Sequence, residues 1–169
     1  MEKKVLPNDL LLSQLADILA QGKDVKLTVK GNSMLPFIRD EIDSVLLRKV
    51  DELKVGDIVL AATPERHWLL HRIWEIQGDA FILMGDGNLS QYEMVFRPNI
   101  AGKVLKIIRG NSNKTIDCDS ESHQRKARLW RRLLPYRGYI LKIYKIHYGL
   151  VDDGYWKTAI RFLKQKFIK

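Results

Sequence analysis

One hydroxyl stands in a stretch suited to holding it still: Lys30-Gly31-Asn32-Ser33-Met34-Leu35-Pro36-Phe37-Ile38. Gly31 opens backbone conformations that a Cβ forbids, while Pro36 fixes its own φ and biases Leu35 towards extended geometry. A serine held in one orientation can attack a carbonyl; ordinary turn chemistry accounts for the same residues. An alcohol is a poor nucleophile at neutral pH unless a base takes its proton. Four histidines are available, at positions 67, 71, 123 and 147. His67 opens a strand beside a charged turn, and His123 and His147 lie in a basic C-terminal part, which leaves His71. It falls within Leu69-Leu70-His71-Arg72-Ile73, where alternation places it with Leu69 and Ile73 on the face opposite Leu70 and Arg72. An imidazole on such a half-buried face is either a working base or a core histidine satisfied by the backbone.

Several elements must position these residues. In residues 8–21, Leu11, Leu12, Leu15, Ile18 and Leu19 recur at helical spacing, with Asn8 or Asp9 as cap and Gly22 as stop. The period then falls to two, since Val25, Leu27 and Val29 alternate with Lys26, Thr28 and Lys30 in a strand that leads into Ser33. Residues 44–48 and 57–62, rich in Val, Ile and Leu, read as strands. Residues 67–76 alternate through Trp68, Leu70, Arg72, Trp74 and Ile76, and the turn Gln77-Gly78-Asp79 returns the chain through 80–84 as a hairpin. Gly85-Asp86-Gly87-Asn88 opens a loop to about Pro98. A strand at 102–108, a turn at 110–113 and a last short strand complete a mainly β part. Beyond it, residues 122–134 and 136–148 read as helices split by Pro135, and a third begins near Asp153, so the whole is α+β.

With 169 residues, 46% of them hydrophobic, the chain suits one modest domain and an appendage. The net charge of +9 sits at one end: residues 1–118 hold sixteen Lys and Arg against sixteen Asp and Glu, and residues 119–169 hold thirteen against four. We place a boundary there, between a β domain with its N-terminal helix over 1–118 and a basic amphipathic helical appendage over 119–169. Cys118 is the sole cysteine. This excludes an internal disulfide and a metal site of paired thiolates, and it fits a reducing compartment. No cofactor and no metal are implied. The apolar start is broken by Pro7, Asn8 and Asp9, unlike a signal peptide, and no run of about 18 apolar residues offers a membrane span.

Taken in order, Gly31-Asn32-Ser33-Met34-Leu35-Pro36, Asp43-Ser44-Val45, Val55-Gly56-Asp57-Ile58-Val59, His71-Arg72-Ile73 and Gly85-Asp86-Gly87-Asn88 resemble the motifs of the superfamily of signal peptidases and SOS-repressor (LexA-like) peptidases. The resemblance covers roughly residues 25–108. It implies a serine endopeptidase on a β core, with Ser33 of the Ser-Met pair as nucleophile. Most bacterial members use a lysine base, whereas this chain is similar to the histidine-bearing branch that includes the endoplasmic-reticulum-type signal peptidases; the base is then His71. The exchange is chemically sensible, because a lysine must lose several pK units before it accepts a proton near pH 7, while imidazole starts near ~6.5. The resemblance further implies that Asp86 lies near His71 and, as the third member of a triad, fixes its tautomer. A hairpin turn accounts for Gly85-Asp86-Gly87-Asn88 equally well.

Three features depart from the pattern. The second aspartate of histidine-type signal peptidases falls here on Tyr92, with Glu93 beside it as the available acidic substitute. Gly31 stands where those enzymes carry a hydroxyl for the oxyanion hole. The backbone N–H groups of Ser33 and Met34 would take over that task, a contribution of about 3 kcal/mol per donor in other hydrolases. The transmembrane anchor is missing, which points away from ordinary preprotein cleavage. The reading is therefore a serine endopeptidase acting on a peptide or membrane-proximal protein; the alternative is a catalytically impaired module of the same fold that binds peptides or membranes.

The appendage offers a substitute for the anchor. Arg125, Lys126, Arg128, Arg131 and Arg132 flank Trp130; Tyr139, Tyr144 and Tyr148 stand near Lys142 and Lys145; and Trp156, Ile160, Phe162, Leu163 and Phe167 lie among Lys157, Arg161, Lys164 and Lys166. This composition suits helices lying on an anionic membrane surface through residues 122–169, each cation contributing about 1 kcal/mol. Helices packed on the β core with their cations in water would look the same. Nucleic acid ranks lower as a partner, because the one helix before the core is too short for a helix-turn-helix. The expected location is cytoplasmic, peripheral on the cytoplasmic face of the membrane.

Overall fold

The computed structural model describes residues 8–147 except 66 and 113. Helix α1 (Asn8–Ala20) buries Leu19 completely and stops at Gly22, whose φ of 78° suits a residue without Cβ. Eight strands follow: β1 (Val25–Thr28), β2 (Ser44–Arg48), β3 (Ile58–Ala62), β4 (Trp68–Gln77), β5 (Ala80–Met84), β6 (Glu93–Phe96), β7 (Ile100–Ile108) and β8 (Thr115–Asp117). They form one antiparallel sheet in the order β1-β2-β7-β3-β4-β5-β6, with β8 added to β7. Register shifts between Leu46 and Leu47, Leu60 and Ala61, and Ile73 and Glu75 interrupt the ladders. Such bulges bend strands. The sheet accordingly curls, and β1 faces β4 across a cleft although three strands separate them in the order.

The alternating apolar residues split between two buried clusters. Val25, Val45, Leu47, Leu60, Val104 and Ile107 pack with Leu19 of α1, while Val59, Ile73, Phe81, Leu83 and Val95 pack separately. Cys118 lies in the first cluster, where burial pushes its thiol up to about 12, so it stays protonated and apolar.

Two expectations from the sequence need correction. The loop read from Asn88 to about Pro98 contains β6, which pairs with β5 through Leu83 and Glu93. It is short, and of its four residues only Val95 is buried, so it lacked an apolar signal. In β4 the alternation does not translate into one buried and one exposed face: Leu70, His71, Arg72 and Ile73 are all buried, and a helix lies over the Arg72 side.

That helix is α2 (Glu121–Arg132), capped by Ser120 accepting from the His123 N–H. It buries His123, Ala127 and Trp130, spaced along one face, while its cations keep exposed surface. A 3₁₀ turn at Leu134–Tyr136 leads into α3 (Arg137–His147), which buries Arg137 and Leu141. Trp130, Leu141 and Leu35 form a third apolar cluster with Phe37 packed against it, so the basic helices dock on the serine loop itself. α3 leaves Tyr139 and Ile143 exposed. The helix expected from Asp153, with its aromatic and cationic residues, lies outside the described residues.

Candidate active site

Ser33 sits on a turn between β1 and β2. Gly31, at φ 100°, starts that turn and donates its N–H to Asp40 Oδ1 at 2.7 Å. The side chains after the serine anchor it, since Met34, Leu35 and Ile38 are all buried. Phe37 is partly buried: His123 and Trp130 meet its ring edge to face, and the Arg72 guanidinium lies 4.9 Å from its centre. The turn is closed at its far end by Asp43, which is fully buried. Asp43 receives Arg39 Nε, Nη2 and backbone N–H, the Gly110 N–H and Arg109 Nη1. Burial alone would raise its pKa, but the two guanidiniums outweigh it and hold the carboxyl below its ordinary range.

His71 lies near the middle of β4, buried, with Nδ1 2.8 Å from Glu93 Oε2. The two strands that carry the pair are separated by β5, a gap of roughly 10 Å between backbones. Gly85 immediately after β5 lets the ring lie across that gap. A Cβ there would come within 3.0 Å of His71 Nε2 and 2.5 Å of the Ser33 carbonyl oxygen. The same two distances set Nε2 and the Ser33 carbonyl oxygen beside one Cβ position, so the ring nitrogen lies close to the serine residue. Among the described residues, no hydrogen bond joins Ser33 Oγ to the ring.

Asp86 makes no side-chain hydrogen bond to the imidazole among the described residues. Its carboxylate takes Arg72 Nε at 2.9 Å and Nη2 at 2.7 Å in a buried, two-pronged ion pair, and Arg72 Nη1 donates to the Gly56 carbonyl. The adjacent strand residue, Arg72, thus claims the aspartate, and Glu93 stands on the imidazole instead. The loop around Asp86 still serves Ser33, through backbone: Gly87 N–H donates to the Ser33 carbonyl at 2.7 Å. A Cβ on Gly87 would meet the Asn32 carbonyl oxygen at 2.6 Å, so close backbone approach explains both glycines of the box. The turn reading holds too, because Asn88 N–H closes on the Gly85 carbonyl.

This clamp bears on the oxyanion donors. The Ser33 carbonyl and the Met34 N–H belong to one planar peptide unit and point in opposite directions. Fixing the first on Gly87 therefore fixes the direction of the second. Neither the Ser33 nor the Met34 N–H donates to an acceptor among the described residues.

Ser33 opens onto a cleft of about 590 Å³, walled by Leu27, Thr28 and Val29 on one side and Trp68, Leu69 and Leu70 on the other. β1 is an edge strand, so its outer backbone groups are free to pair with an extended segment. Lys30, which lines the same cleft, is exposed and lies 4.0 Å from Glu41. Lys103, the buried lysine of β7, sits between Asp57 and Asp119. Burial alone would lower its pKa, but those carboxylates more than offset this and raise it.

Arg72, Trp130 and Arg137 support the site and were missed in the sequence. Trp130 Nε1 donates to the Asp86 carbonyl at 2.8 Å and Arg137 Nη1 to the Asn88 carbonyl at 2.9 Å, so both helices of the appendage grip the loop that clamps Ser33. Arg72 reads in the sequence only as a member of an alternating strand, on the face opposite His71, and nothing local marks the other two as site residues. A curled antiparallel domain that carries a serine on the turn after its first strand, near a strand-borne histidine and over a cleft beside an edge strand, fits the superfamily of repressor and signal peptidases. The model of the Peptidase S24-like family matches residues 4–105, more than half of the chain, and the chain belongs to that family.

Proposed function

We propose that the protein is a serine endopeptidase of the histidine-bearing kind, with Ser33 as nucleophile, His71 as general base and Glu93 in the part expected of Asp86. The observation that carries this reading is the 2.8 Å contact between His71 Nδ1 and Glu93, with Nε2 left facing the serine loop. A carboxylate on Nδ1 keeps the proton there, so Nε2 is the basic nitrogen, and it stabilises the imidazolium formed when Nε2 takes the serine proton. The developing oxyanion would be met by the Ser33 and Met34 N–H groups. The substrate is an extended peptide laid against the β1 edge, with apolar side chains entering the cleft between Leu27 and Leu70. Closure of the Ser33–His71 gap would accompany substrate binding, as apo sites are often loose.

The protein works, on this reading, at the cytoplasmic face of an anionic membrane, where α3 turns Tyr139 and Ile143 outward beside Lys142. Cosedimentation with phosphatidylglycerol vesicles, and its loss on Tyr139→Ser with Ile143→Ser, tests that part. Labelling by a fluorophosphonate tests the chemistry without a known substrate: wild type should label at Ser33, and Ser33→Ala and His71→Ala should not. The competing reading, a binding module without turnover, is favoured by the missing Ser33–His71 hydrogen bond. It gains if folded wild-type protein resists the probe yet retains peptide binding.

A further inference from the structure

Behind β4, on the side covered by α2 and α3, arginines outnumber the carboxylates available to neutralise them. A cavity of about 190 Å³ is lined by Arg72, Trp74, Asp86, Arg128, Arg131 and Arg137, among others. Arg72 and Asp86 cancel each other in their two-pronged pair. The other three do not cancel. Arg137 is only 1% exposed, and its Nη groups reach the carbonyls of Asn88 and Trp130 and the sulfur of Met84, all neutral acceptors. Its Nε is buried without an acceptor. Arg131 lies flat on Trp74, its Cζ 4.4 Å from the ring centre. Among the described residues no carboxylate lies within ion-pair distance of Arg128, Arg131 or Arg137.

A buried guanidinium with only neutral partners is unfavourable unless an anion shares its site. Burial indeed pulls the pKa of Arg137 below its ordinary value, although a guanidinium remains charged. The cavity has the volume of about six waters, enough for a tetrahedral oxyanion. A single carboxylate would be satisfied by one arginine fork, whereas three unneutralised guanidiniums suit a group with several charged oxygens.

We propose that this cavity is a phosphate-binding site, taking a phosphate mono- or diester between Arg137, Arg131 and Arg128. It is separate from the cleft at Ser33 and stands whether or not the protein is a peptidase. The phosphate can come from a soluble ester or from a lipid headgroup. Thermal unfolding of the full chain in glycerol phosphate, against chloride at equal ionic strength, addresses the first source, and cosedimentation with vesicles of phosphatidylglycerol or of phosphatidylcholine alone addresses the second. Arg137 is too buried to replace safely, so the test variant is Arg128→Gln with Arg131→Gln. The control is Lys126→Gln with Arg132→Gln, an equal change of charge on the same helix outside the cavity. We expect a saturable response to at least one source, about tenfold weaker in the test variant and unchanged in the control. No saturable response to either source, or equal weakening in the two variants, overturns the proposal.

Discussion

Replacing Glu93 by Gln and Asp86 by Asn separates the two carboxylates that compete for the third place in the site. Glu93→Gln keeps the shape but removes the charge that the imidazolium would meet at 2.8 Å. A hydrogen bond to a charged group contributes about 1.5–3 kcal/mol. Glu93 keeps 27% of its side-chain surface in water, which places it towards the lower end. With tenfold in rate for each ~1.4 kcal/mol, labelling of Ser33 by a fluorophosphonate should slow by about tenfold, and by no more than about a hundredfold. Asp86→Asn acts elsewhere. It leaves Arg72 charged, buried and unpaired, and breaking such a pair costs about 3–5 kcal/mol of stability. Its signature is a lower urea midpoint, with labelling of the protein that remains folded close to wild type. The second-order labelling rate should be measured from pH 5 to 9 at a temperature where both variants are folded by circular dichroism. Wild-type rates in Glu93→Gln, together with a slow but folded Asp86→Asn, refute the assignment and return Asp86 to the triad.

Three further outcomes follow from the geometry. Burial pushes His123 down to about 4 from an ordinary 6.5, so the unfolded chain binds its proton first as the pH falls; stability should drop between about pH 6.5 and 4 and no further below that on this account. At about 1.4 kcal/mol per pH decade this amounts to about 3 kcal/mol, read as the difference in urea stability between wild type and His123→Leu across that window. Gly85→Ala puts a methyl group 2.5 Å from the Ser33 carbonyl oxygen and 3.0 Å from His71 Nε2, and should abolish labelling while costing about 1–3 kcal/mol of stability; retained labelling would show that the loop moves freely. Trp130→Phe preserves the packing under Leu35 but leaves the Asp86 carbonyl without its donor, at about 1 kcal/mol by chemical denaturation.

Local chemistry made much of this legible. The hydrophobic period set the strands at 44–48 and 80–84, and β4 was displaced by only one residue at each end. It also placed His71 within β4 and Ser33 after β1, although that strand ends at Thr28 and Ser33 lies on the turn beyond it. What stayed hidden was the choice of partners. Glu93 and Asp86 are both acids at a suitable separation from His71 in the chain, and a motif can rank them only by analogy. The pairing of β5 with β6 and the room above Gly85 bring Glu93 to the ring, while Arg72, one residue along β4, takes Asp86.

The basic appendage is the other case. Its composition is the same whether its cations lie on lipid or its stripe packs inward, and only docking of Trp130 and Leu141 on Leu35 decides that α2 and α3 belong to the architecture of the site. The sequence by itself determined most of the elements and singled out Ser33 and His71 as candidates, because period, turn chemistry and residue type act over a few positions. Tertiary structure alone decided which carboxylate meets the imidazole and which arginines are left without one. Those depend on how a curled sheet and two helices share a few ångströms of buried space.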